Sequence, residues 1–347
     1  MGENKNIIEG DVRVKKGIVI LLTGLFLLGM LAGCGSTPAE KKDAPKAAWA
    51  PTKEIEFVVP SAPGGGSDLN ARVIADFSQK NKLSPKSFMV VNKPGGSGAV
   101  SFSYVYGKKG DAHTWMVLHS GQVMSAIVNK SPVKADMLTY IGVVGFDDLL
   151  LGVNKDGKYK DIQSVIKTAK EKPDTVKIGG SQRGNSDHLS FEMFNKYTGG
   201  KATYVQFNSS GEVMAALLGG HIDVGIFNPS ECVGQVTAEK VIPIVTFAKQ
   251  RIPGAFSKVP TFTEIGFKDL QLSEVRAISG PPDMPAEAVK FYEDLLKKIT
   301  DSEEWKKNYI EKNSMTPVYM NAAETKKFFN EQSILYEKMF KEVGVIK

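Results

Sequence analysis

The sequence is short of the residues from which most catalytic and metal centres are built. Only two cysteines, Cys34 and Cys232, and four histidines, His113, His119, His188 and His221, occur in 347 residues. No Cys-x-x-Cys, His-Glu-x-x-His or Gly-x-Ser-x-Gly is present, so no zinc site and no nucleophile elbow is written locally. No glycine loop ends in Gly-Lys-Ser/Thr, and Gly96-Ser97-Gly98-Ala99-Val100-Ser101 closes on serine where the dinucleotide pattern Gly-x-Gly-x-x-Gly has its third glycine; nucleotide binding is set aside, and neither cofactor nor metal is expected. The net charge of +6 comes from scattered lysines. That pattern is no argument for nucleic acid, but it suits anionic small ligands and an anionic membrane surface.

Long apolar runs are also scarce. The main one, Gly17 to Leu31, follows Arg13, Lys15 and Lys16 and is too short for a comfortable membrane span, which takes about 20 residues. Residues 1–34 therefore read as an export signal. Leu31-Ala32-Gly33-Cys34 matches the bacterial lipobox, in which the cysteine is lipidated and heads the mature chain; a short uncleaved anchor is the alternative, and both leave the chain exported and tethered. Glu3, Glu9 and Asp11 are unusual ahead of such a signal and suggest a later translation start. Residues 35–52, rich in Ala, Pro and Lys, read as a flexible tether. With Cys34 used, Cys232 has no partner for an internal disulfide. It is either a small buried side chain or a reactive thiol.

The body is organised around Ile55-Glu56-Phe57-Val58-Val59-Pro60-Ser61-Ala62-Pro63-Gly64-Gly65-Gly66-Ser67-Asp68. An apolar strand runs into a Pro-Gly loop, and Leu69, Val73, Ile74 and Phe77 then keep helical spacing. Such a turn is either a tight connection or a pocket in which glycine lets backbone amides approach an anion at a helix start. Val176-Lys177-Ile178 leads into a second loop of the same kind, Gly179-Gly180-Ser181-Gln182-Arg183-Gly184-Asn185-Ser186-Asp187-His188, with a helix to Tyr197. Further strand-to-loop junctions follow at Ser120, Asn208-Ser209 and Asn228-Pro229-Ser230. Strands alternating with helices predict an α/β fold with a mostly parallel sheet, helices on both faces, and ligands beyond the strands' carboxyl ends. Amides and hydroxyls at those ends can hold an anion without an ion pair. His188 either braces the second loop or, beside Ser181 or Ser186, serves a hydrolase. The tail is helical at 286–299 and 301–310, and Asn321-x-x-Glu324 reads as a capping box for a helix over 326–343.

Five stretches in order, Val58 to Asp68, Val91 to Gly98, Gly180 to His188, Leu217-Leu218-Gly219-Gly220-His221-Ile222-Asp223 and Asn228-Pro229-Ser230, resemble the tripartite tricarboxylate transporter receptor family, the Bug-type solute-binding proteins. The likeness runs from about Lys53 to the C-terminus. It implies a periplasmic-binding-protein-like fold of two α/β lobes with a ligand cleft between them. Lobe 1 would be 53–151 with 277–347, lobe 2 would be 152–276, and two interlobe crossings would fall near Leu150–Val153 and Arg276–Ser279. The implied function is capture of a small carboxylate by a lipid-anchored monomer and delivery to a permease with one large and one small subunit, without catalysis. Carried over by position, the ligand-binding residues are Ser61, Pro63, Gly64, Gly65, Gly66, Ser67, Asp68 and Ser120 from one lobe, and Ser181, Gly184, Asn185, Ser186, His188 and Asn228 from the other. Ser61, Phe207-Asn208 and Glu274–Arg276 depart from the aromatics and the Tyr-Lys-Gly of many relatives. Arg276 is expected to pair with a second ligand carboxylate. The alternatives are a surface-tethered serine hydrolase using Ser181 or Ser186 with His188, and a ligand-binding partner of a sensor.

Overall fold

A computed structural model describes residues 48–347; the expected signal segment, Cys34 and most of the tether lie outside the described residues. The end of that tether is packed. Trp49 sits edge-on to Tyr292 and Phe291, with ring centroids 5.4 and 5.6 Å away, Pro51 is buried, and the Thr52 amide donates to His113 Nε2 at 3.1 Å. The folded body thus takes in Trp49, ahead of Lys53, because the indole finds aromatic partners.

Two five-stranded sheets carry the body. The first holds β1 (Ile55–Val59), β2 (Phe88–Asn92), β3 (Thr114–His119), β4 (Thr139–Phe146) and β10 (Val275–Gly280), in the order β2-β1-β3-β10-β4; the second holds β5 (Leu150–Asn154), β6 (Lys177–Ser181), β7 (Thr203–Phe207), β8 (Val224–Phe227) and β9 (Val241–Thr246), in the order β7-β6-β8-β5-β9. The helices are α1 (Gly66–Lys80), α2 (Ala99–Tyr106), α3 (Ser120–Val128), α4 (Ile162–Glu171), α5 (Ser186–Thr198), α6 (Ser210–Leu218), α7 (Pro229–Thr237), α8 (Ala286–Asp301), α9 (Glu303–Trp305) and α10 (Ala322–Glu342).

The expected mostly parallel sheet needs correction. β1 runs parallel to β2 and β3, and β6 to β7 and β8, but β10 is antiparallel to both its neighbours and so is β5. The physical cause is connectivity: β5 follows β4 with no crossover helix between them, so it enters its sheet without the βαβ geometry that parallel pairing demands. The crossings also move. Leu150–Val153 and Arg276–Ser279 lie inside β5 and β10, and the passages between sheets are at Asp147–Leu149 and just before Val275. There the Asp147 amide donates to the Glu274 carbonyl and the Phe247 amide to that of Leu149, both at 2.9 Å.

Strand alternation divides the core. Ile55, Phe57 and Val59 face one apolar cluster with Trp115, Tyr292 and Leu296, whereas Val58, Met116 and Leu118 face another that also takes Leu151, Val153 and Ile178 from the second sheet. α8 presents Ala288, Tyr292, Leu295, Leu296 and Ile299, all buried at helical spacing, with Tyr292 4.7 Å from the Trp115 ring. The expected helix over 301–310 forms from Glu303, as α9 continued by a π-helical stretch over Lys306–Glu311; Ser302 separates it from α8, its hydroxyl capping α9 by accepting from the Trp305 amide at 3.1 Å. The capping box is present: the Asn321 side chain accepts from the Glu324 amide and Glu324 from that of Asn321, each at 2.9 Å. It starts α10 at Ala322, earlier than expected. Phe329, Tyr336 and Phe340 sink into the shared cluster, while Lys196 and Tyr197 of α5 hold Glu342 at 2.6 and 3.0 Å. The tail therefore touches the second sheet's helices as well as the first's. Among the described residues no helix is long and apolar enough to cross a membrane.

Trp115 is fully buried among Phe57, Phe88 and Tyr292. Trp115→Ala is expected to cost about 3–5 kcal/mol in urea unfolding, and a loss under about 1 kcal/mol would show that this cluster does not support the first sheet.

Candidate ligand-binding site

Both glycine loops are braced from behind by an aspartate at the start of the following helix. In the first loop Asp68 Oδ2 accepts from the Gly64 amide and from Arg72 Nε, both at 2.9 Å, and Oδ1 accepts from Asn92 Nδ2 at 3.0 Å. Burial works to raise the Asp68 carboxyl, but these donors prevail and hold it below its ordinary range. In the second loop Asp187 Oδ2 accepts from the amide and the hydroxyl of Ser181, both at 2.7 Å. The first amides of α1 and α5 have no partner within their own helices, as helix geometry requires.

The helix starts then meet in pairs across the two sheets. A side chain at Gly66, the start of α1, would come within 2.6 Å of Arg276 Nη2 and 3.5 Å of Ser230 Oγ, at the start of α7. A side chain at Gly121, in the first turn of α3, would come within 2.9 Å of Ser186 Oγ, at the start of α5. Hydroxyls and positive helix ends thus converge from both sheets. The chain supplies its own carboxylates to these ends. Asp147 Oδ2 accepts from Ser230 Oγ and Arg276 Nη2, both at 2.6 Å, and from Arg276 Nε at 3.2 Å, while Oδ1 takes the Ser230 amide at 3.3 Å. Glu274 Oε1 accepts from His119 Nδ1 at 3.0 Å and the Gly121 amide at 3.2 Å. Asn228 Nδ2 bonds the Asp147 carbonyl.

Several expected ligand residues have other work in this structure. Arg276 was expected to await a ligand carboxylate; its guanidinium is instead bound to Asp147, both side chains being almost fully buried. Ser120 is buried with its hydroxyl accepting from the Val275 amide at 3.2 Å. Pro63 and Gly64 stand at the exposed tip of the first loop, and Gly184 packs against Val128. Asn185 caps α5 by accepting from the His188 amide at 3.1 Å. His188 accepts from the Gly184 amide on Nδ1 at 3.2 Å, with Arg183 and Glu192 at Nε2. It braces the loop, and neither Ser181 nor Ser186 is among its partners. Gly66, Ser67 and Ser186 do lie where the helix starts meet, and Ser61 Oγ is buried beside Gly65 with no hydrogen-bond partner. Cys232 is fully buried, and burial pushes its thiol well up, so it is the inert small side chain of the two readings.

Sequence reasoning missed the contributions of Asp147, Asp148, Ser230, Glu274, His119 and Gly121. One signal was available: Asp147-Asp148 interrupts an apolar stretch from Tyr140 to Val153, where two acids need a buried purpose. Among the described residues no group of acidic, histidine or cysteine side chains could hold a metal ion.

A sequence profile described as the tripartite tricarboxylate transporter family receptor matches residues 71–345. A protein of the gbd 5′ region in Cupriavidus necator is 26% identical over 305 residues, covering 86% of this chain and 89% of that one. An R. palustris protein solved with adipate superposes with a TM-score of 0.77 at 24% identity, covering 85% of this chain and 98% of its own. MatC from Rhodopseudomonas palustris, solved with bound malate, gives 0.74 at 21% identity, with 83% and 99% covered.

Two buried acids make stability depend on pH. Burial, opposed by the Glu274 amide at 2.9 Å and reinforced by Asp147 and Glu274, pushes the Asp148 carboxyl up to about 7; burial likewise lifts Asp187 to about 7. The folded chain then keeps protons that an unfolded chain, with carboxyls near about 4, has released. These groups make unfolding free energy fall as pH rises from about 4 to about 7 and leave it level above. Asp148→Asn preserves the acceptor and removes the titration. In urea unfolding the effect of the substitution is expected to be more stabilising at pH 8 than at pH 5 by about 1 kcal/mol or more; an equal effect at both pH values would refute the assignment.

Proposed function

The chain belongs to the tripartite tricarboxylate transporter family of receptors, whose members are solute-binding proteins and not enzymes, and from that premise we propose that it captures a small organic acid where the helix starts of its two sheets meet. The observation that carries this reading is the paired approach of α1 to α7 and of α3 to α5. The amides that open α1 and α5, with the hydroxyls of Ser61 and Ser186, suit the oxygens of a carboxylate, whereas the Ser230 and Gly121 amides at α7 and α3 are already given to Asp147 and Glu274. Relatives of the same fold solved with adipate and with malate support the ligand class.

In this reading the lobes are 53–151 with 277–347 and 152–276, adjusted at their edges to the sheet boundaries, and closure brings the lobes onto the ligand. Gly66, Ser67, Ser61 and Ser186 contact it. Asp68, Ser181, Asn185, His188 and Asn228 hold the loops in shape. Leu31-Ala32-Gly33-Cys34 supports lipidation at Cys34, which would keep the receptor extracytoplasmic and beside its membrane partner, a permease of one large and one small subunit. The chain would act as a monomer without cofactor or metal.

The test is a thermal-shift screen of the purified protein against mono-, di- and tricarboxylates, amino acids and phosphate esters. A ligand at about one hundred times its Kd should stabilise by about 2.7 kcal/mol, a rise of several degrees. Gly66→Val, which drives a side chain into Arg276 and Ser230, is expected to abolish the shift. Stabilisation by phosphate esters alone, or by nothing, would overturn the carboxylate assignment.

A further inference from the structure

Where α3 and α5 meet, one carboxylate oxygen is left over. Glu274 is only 1% exposed. Its Oε1 is used by His119 Nδ1 at 3.0 Å and the Gly121 amide at 3.2 Å, while Oε2 is buried with no hydrogen-bond partner. The Ser186 hydroxyl stands beside the carboxylate and favours its charged form, without the geometry of a bond to Oε2. A buried carboxylate oxygen can only accept, so leaving it unpaired costs stability unless a donor arrives.

The same helix start holds a second unpaired atom. Gln122 in the first turn of α3 gives its Oε1 to the His119 amide at 3.0 Å, and its Nε2, a donor, is buried without a partner against Gly98. Of the groups bonded to this carboxylate, the His119 side chain is the partly exposed one, at 24%. A plain carboxylate brings only acceptors and leaves Glu274 Oε2 as it is. The local charge agrees: the buried Asp147 and Glu274 and the half-buried Glu231 all act on a single guanidinium, Arg276.

We propose that Glu274 is a specificity-determining residue, which selects carboxylates carrying a hydrogen-bond donor of their own, an ammonium or hydroxyl group, over unsubstituted acids of the same length. The inference rests on the carboxylate reading of this cleft. Recognition by an unpaired buried acceptor discriminates strongly, because a ligand without the donor leaves that acceptor desolvated and unpaid.

The experiment is isothermal titration of the full-length protein with two series, succinate, malate and aspartate, and glutarate, 2-hydroxyglutarate and glutamate. In at least one series a donor-bearing member is expected to bind about ten-fold or more tightly than the unsubstituted acid. Preference for the amino over the hydroxy acid would identify the donor as ammonium. Glu274→Gln keeps an acceptor for His119 and Gly121 and puts a second donor in place of Oε2; it should bring the series to within about three-fold. Equal binding across a wild-type series, a comparison that needs no variant to fold, or a folded Glu274→Gln protein that keeps the preference, would overturn the proposal. Binding of no member of either series, alongside a carboxylate that stabilises the protein in the thermal-shift screen, would overturn the inference and leave the carboxylate reading standing; no carboxylate hit in that screen would overturn both.

Discussion

The ion pair between Asp147 and Arg276 is the constraint on which the arrangement depends. Asp147 stands on the first passage between the sheets and Arg276 just beyond the second, so one contact of 2.6 Å ties both connections together. The same carboxylate reaches Ser230 at the start of α7, and the same guanidinium lies under Gly66 at the start of α1. Breaking such a buried pair by removing one partner leaves an uncompensated charge and typically costs about 3–5 kcal/mol. The pair thus sits at the point where the two sheets must keep their mutual placement.

Around that floor the fold solves an electrostatic problem. Several helix starts converge, and their unpaired amides need negative charge nearby. Acids of the chain answer some of them: Asp147 at α7 and Glu274 at α3. Asp68 and Asp187 hold the loops ahead of α1 and α5, leaving the first amides of those helices for something else. Burying so many acids together has a cost, visible in Asp148 and Asp187, which burial lifts to about 7. At the proposed site, where the chain's own carboxylates crowd the helix starts, ligands would be separated by where they carry donors as well as by where they carry charge.

Much of the fold was legible from local pattern. The strand, glycine loop and helix around Gly64 to Asp68, its counterpart around Gly180 to His188, and the Asn321–Glu324 box all form close to where residue order placed them, because capping and periodicity act over a few residues. Strand direction was not legible, since nothing within β5 or β10 records which strands they will lie beside. Trp49 was read as tether because its partners, Phe291 and Tyr292, lie more than two hundred residues away in the chain.

The sequence by itself determined that this is an α/β binding protein with hydroxyl- and glycine-rich loops, and which family it resembles. Only the tertiary structure decided what those residues do. Arg276 read as a cation awaiting a ligand, yet the fold sets it against Asp147, and His188 read as a catalytic option until its ring was found bonded to its own loop. The physical reason is common to both: a side chain's role follows from its nearest polar partners, and in a buried junction of two sheets those partners come from distant segments whose meeting no local pattern encodes.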